Sequence, residues 1–197
     1  MSLWGTTDGT KPKFLTDEEK KLVFANQSGW VLEAGAESAK FTGNDNPNAQ
    51  PEVLVAIGQL ADSIGSATIT EVEFISSGFD RTVGGTLSVR VRYNEQVTVT
   101  GTPTLTVTNG NQGSGSGRTI PALEYASGTN TNELVFSKAI AAGANNTALS
   151  DQLTIGAQNI AKPGGATIKD KGTTTDSDVA ISGAIGSAAG TIIVTQS

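Results

Sequence analysis

The chain contains no histidine and no cysteine. The first absence removes imidazole general bases and histidine-ligated metals. The second removes thiol nucleophiles, disulfides and thiolate zinc sites. Aromatic residues are only 5% and charged residues 16% of the sequence. No stretch approaches the roughly 18 apolar residues of a membrane-spanning helix. Residues 1–21 show no basic region followed by an apolar run, so no export signal is expected. The net charge is −6 and the few basic residues form no patch, so neither nucleic acid nor a membrane is an expected partner. What the 197 residues do hold is glycine, threonine and serine, together about a third of the chain. At 37% hydrophobic the core is lean, yet too apolar for a chain disordered throughout.

Character changes near residue 66. Residues 1–66 carry both tryptophans, Trp4 and Trp30, and the compact charge runs. Thr16-Asp17-Glu18-Glu19 has the form of a capping box, which predicts a short helix near 17–26. Residues 29–33 read as a strand or an extended contact, 41–51 as loop, and 51–64 as an edge strand with a turn or as a bent helix. Sixty-six residues with so few periodic elements make a poor free-standing domain, and an extended attachment arm is expected.

Residues 67–197 alternate with period two. In 86–93, Leu87, Val89, Val91 and Tyr93 share one face, while Thr86, Ser88, Arg90 and Arg92 share the other. Further strands are predicted at 68–75, 97–100, 104–108, 118–126, 132–137, 152–156, 167–169, 179–182 and 191–195. Short strands with turn residues between them, and no sustained helical period, predict an all-β fold of two packed sheets.

The run LSVRVRYNEQVTVTGTPTLTV, followed by GRTIPALEYASGTNTNELVFSKAIAAGA, resembles a bacterial and phage Ig-like module. Glu95, residues 97–105, Tyr125, Ser127-Gly128, residues 134–136 and the later TIKD at 167–170 occupy the module's recurrent places. The opening SLWGTTDGTKPKFLTDEEKK, with GWVLEAG and PEVLVAIG, resembles small virion structural proteins of tailed phages that infect marine cyanobacteria. The resemblance implies an Ig-like β-sandwich behind an N-terminal arm, acting without catalysis, cofactor or metal. It implies a multi-copy or homo-oligomeric decoration of the capsid, with the major capsid protein or other virion subunits as partners. A neck, tail or fibre component, or a carbohydrate or host-surface adhesion module, is the alternative. Lack of an export signal fits assembly into a virion in the host cytoplasm.

Several residues invite sharper readings. Glu71 and Glu73 share a strand face and could form an acid–base pair, but solvated charges are the expectation. Asp170, Asp176 and Asp178, or Asn44-Asp45-Asn46, could offer oxygens to calcium, but the spacing is that of ordinary turns. Trp4 and Trp30 are the foremost interface candidates, because tryptophan buries a large area with few torsions to freeze, the alternative for Trp30 being packing against Leu22 or Phe24. Phe14, Leu15 and Phe24 would extend that patch, and Arg90 and Arg92 could meet an acidic neighbour. The loop 109–117 reads as an inert hairpin tip.

Overall fold

The computed structural model describes residues 11–110 and 117–197. Trp4 and most of the 109–117 loop therefore lie outside the described residues.

The capping box forms as expected. Glu19 N–H donates to Thr16 Oγ1 at 3.3 Å, and Thr16 N–H donates back to Glu19 Oε2 at 2.7 Å. The helix it starts, α1 (Asp17–Lys21), is shorter than predicted. It ends there because Leu22, Val23, Phe24 and Ala25 are all buried. Four consecutive buried residues need cover on every side, which a strand accepts and the one-sided surface of a short helix does not. They enter β1 (Val23–Asn26), which turns through Gln27-Ser28 into antiparallel β2 (Gly29–Leu32). Next come α2 (Ala36–Thr42), the edge strand β3 (Glu52–Ala56) and the single turn α3 (Leu60–Ser63). Gly29 sits at φ +133°, and a Cβ there would run into the Val55 carbonyl of β3, so the β2–β3 approach depends on it.

From residue 67 onward the regular elements are nearly all strands. In order it comprises β4 (Ile69–Phe74), β5 (Phe79–Asp80), β6 (Gly85–Thr100), β7 (Thr104–Leu105), β8 (Thr108–Asn109) and β9 (Leu123–Ser127). Then follow β10 (Thr131–Ile140), β11 (Gln152–Thr154), β12 (Gln158–Asn159), β13 (Thr167–Asp170), β14 (Ala180–Ile181), α4 (Gly183–Ala188) and β15 (Thr191–Thr195). The expected strands 86–93 and 97–100 are one continuous strand, β6, of 16 residues. Leu87, Val89, Val91 and Tyr93 are buried on one of its faces, as the alternation requires.

β6 is the hub. It pairs antiparallel with β10, β4 and β13, and in parallel with β1 at Ala25 opposite Glu95. The main sheet runs β3-β2-β1-β6-β10-β9-β7, with β4 and β13 also hydrogen-bonded to β6. A second sheet runs β5-β15-β11-β8. Leu87, Val89, Val91, Leu134 and Phe136 of the first share one hydrophobic core with Leu153, Ile192 and Val194 of the second. The protein is thus mostly β, with more than one sheet and four short α-helices among the described residues.

Within the described residues, 22–64 differ from the expected extended arm. Strands β1, β2 and β3 continue the main sheet beyond β6. Leu22, Val23, Ala25, Trp30, Leu32 and Leu60 form a second, smaller core, with Leu15, Leu54 and Val55 packed on it. The change near residue 66 is one of composition and leaves the hydrogen-bond ladder unbroken.

Trp30 is fully buried in that smaller core. Trp30→Ala should therefore cost about 3–5 kcal/mol, read as a lower urea midpoint. Because the sheet is shared, β1–β3 and the main core should unfold in one coincident transition by circular dichroism and fluorescence.

Candidate functional site

The period-two pattern of β6 sends Arg90 and Arg92 to the face opposite the main core. Register then decides their neighbours. β4 places Glu71 opposite Arg92 and Glu73 opposite Arg90, and β10 places Glu133 opposite Arg92. Oppositely charged cross-strand pairs of this kind favour one register. From the N-terminal layer come Glu33, which follows β2, and Glu37 of α2.

Arg92 is only 3% exposed, and four carboxylates surround it. Its Nη1 donates to Glu71 Oε2 at 2.6 Å and to Glu73 Oε1 at 3.0 Å. Its Nε donates to Glu133 Oε1 at 2.6 Å, and its Nη2 to Glu33 Oε1 at 3.4 Å. Arg90 Nη1 lies 2.9 Å from Glu73, 3.7 Å from Glu133 and 3.8 Å from Glu37. Lys21 of α1 reaches Glu71 at 3.7 Å. Lys21 is also paired with Glu18 at 3.2 Å, so six carboxylates face three cations, leaving three negative charges in excess when all are ionised.

Electrostatics follow from that imbalance. Burial opposes the Arg92 charge, but Glu133, Glu33, Glu71 and Glu73 outweigh it and hold the guanidinium above its ordinary value. Glu33 is pushed up to about 7, first by burial and then by the charge of Glu133. Arg92 and the Asn132 amide, which donates to Glu33 Oε2 at 3.2 Å, pull the other way. Beside the cluster is a cleft of about 340 Å³, walled by Phe24, Pro47 and Gln96 and by the polar side chains of Glu33, Asn132 and Glu133.

This geometry fastens layers together. Glu71 and Glu73 are half-buried ion-pair partners rather than free surface charges, since both accept from the same Arg92 nitrogen. Arg90 and Arg92 do meet acidic side chains, but those of their own chain. Of the other interface candidates, Phe24 and Trp30 are buried within the chain and Leu15 packs on the smaller core. Phe14 is 65% exposed, which leaves it as the one described candidate presented to solvent.

Two of the aspartates suggested for calcium, Asp170 and Asp178, act as turn caps. Asp170 Oδ1 accepts from the Gly172 and Thr173 amides, and Asp178 Oδ1 accepts from Ala180. Asn44 and Asn46 each accept a backbone amide two residues ahead, forming successive Asx turns. Among the described residues, no group of three or more acidic side chains is arranged to hold a metal ion.

The sequence reading missed Glu33, Asn132 and Glu133. It also missed Asp151, which is fully buried and accepts from Arg118 Nε and Nη2, both at 2.8 Å, and from Asn109 Nδ2 at 2.9 Å. Asn109 and Arg118 flank the 110–117 loop, so one carboxylate ties both of its ends. The bonds to Asp151 hold the Arg118 guanidinium above its ordinary value.

No family model, curated protein or solved structure matches the chain. Among the described residues, no helix is long and apolar enough to cross a membrane.

Removing the guanidinium should be severe. Arg92→Ala would leave four carboxylates crowded without their shared cation, at a cost of about 3–5 kcal/mol. Arg90→Ala, at a more accessible position, should cost clearly less. Urea midpoints of the two variants measure the difference, and equal losses would contradict the assignment of Arg92 as the centre.

Proposed function

We propose that the chain is a non-enzymatic structural subunit of a tailed-phage particle. The β-rich part from residue 67 onward is an Ig-like module held at the particle surface, and the N-terminal layer faces the capsid. The subunit is present in many copies and stabilises the shell by binding only its assembled form.

One observation carries this reading. The segments that resemble the Ig-like module are separated in sequence but adjacent in the sheet. β6 carries the VTVT run, pairs with β13 at the TIKD segment, and pairs with β10 at LVF. β10 in turn pairs with β9 at the LEYAS segment. A resemblance scattered along the chain thus becomes one contiguous structural unit. The exposed Phe14 and the outer strand β3, where Val53 is 48% exposed, offer apolar contact on the N-terminal layer.

Immuno-electron microscopy with antibody raised against the intact chain tests the proposal on particles of a phage encoding it. Label distributed over the head is the expected result. Label confined to the neck or tail would move the subunit there and overturn capsid decoration. Absence from every particle would sink the virion assignment altogether.

A further inference from the structure

Glu33 differs from the other carboxylates around Arg92. Glu71, Glu73 and Glu133 project from β4 and β10, which flank Arg92 within the sheet. Glu33 reaches it from the N-terminal layer, directly after β2, and its backbone N–H is fixed to the Leu22 carbonyl at 3.0 Å. It thereby links β1–β2 to the β6–β10 face. The charged groups around it are Arg92 and Arg90 from β6, Glu133 from β10, Glu71 and Glu73 from β4 and Glu37 from α2, with Lys21 of α1 shared between Glu71 and Glu18. With Glu18 counted as the nearer partner of Lys21, three negative charges remain uncompensated, and Glu33 is the most buried of the carboxylates. Glu33 and Glu133 line the same open cleft, so water can bring a proton to the pair.

We propose that Glu33 is a proton-operated clasp: with its carboxyl neutral it fastens residues 23–56 to the β6–β10 face, and on ionising against Glu133 it loosens them. The neutral acid still accepts from Asn132, so closing sacrifices no polar contact with that amide. The direction follows from linkage. The closed clasp holds Glu33 near 7, whereas an opened, hydrated Glu33 returns to its ordinary 4.5. Between those values the closed form binds an extra proton. The stabilisation is full below the ordinary value and is lost as pH rises through about 7. The chain has no histidine and no cysteine, so no other side chain has an ordinary pKa in this window.

Amide hydrogen exchange on the intact chain, corrected for intrinsic rates, tests the clasp. From about pH 6 to about pH 8, local opening of β1, β2 and β3 should rise about tenfold relative to residues 87–91. In Glu33→Gln that slope should vanish. In Glu133→Gln, which removes the opposing charge, it should move to lower pH, so either variant alone suffices if the other does not fold. Carbon-detected carboxyl titration of the wild-type chain should give a Glu33 midpoint near 7. A slope that persists in Glu33→Gln, an equal slope at residues 87–91, or a Glu33 midpoint near 4.5 would each overturn the proposal.

Discussion

Arg92 carries a full positive charge to a place that water scarcely reaches, and much of the molecule is arranged around that fact. A buried guanidinium without partners would cost several kcal/mol, so carboxylates must be delivered to it from several directions. Two come from β4, one from β10, and one from the segment after β2. Each delivery fixes a register or docks a layer. A replacement by packed apolar residues could be as stable, but it would not specify which strand slides where. The cluster therefore selects an arrangement, while hydrophobic burial on the other face of β6 supplies most of the stability.

The same strand organises both faces. Along 16 residues it hydrogen-bonds β4, β10, β13 and β1. Its apolar positions build the large core, and its charged positions hold the N-terminal layer. A chain with only 37% hydrophobic residues gains from this economy, because one strand is covered on both sides.

Much of this was legible in the sequence, and the rest was hidden for physical reasons. Alternation in 86–93 gave the burial of Leu87, Val89, Val91 and Tyr93 directly, and Thr16 with Glu19 gave the start of α1. The acidic alternation of Glu71 and Glu73 also mirrors the basic alternation of Arg90 and Arg92, a signal of pairing that was available but was read as two separate surfaces. The extended arm was misjudged because strands of four or five residues, with every residue of β2 buried, leave no period to detect. For Trp30 the internal alternative holds, since it shares a core with Leu22, while its other partner Leu60 comes from a distant element that no local pattern indicates. Glu33, Glu133 and Asp151 acquire their charged and amide partners across 33 to 99 residues, a separation at which local pattern is silent.

The Asp151 tie beneath the 110–117 loop has a consequence for how this surface can change. Both ends of the loop are anchored to one buried carboxylate, so the core meets the same two fixed points whatever lies between them. Lengthening a flexible loop costs only about 0.6 kcal/mol per doubling once its ends are held. Asn109 and Arg118 thus form a socket with two fixed ends. A foreign peptide grafted between them would inherit a defined entry and exit.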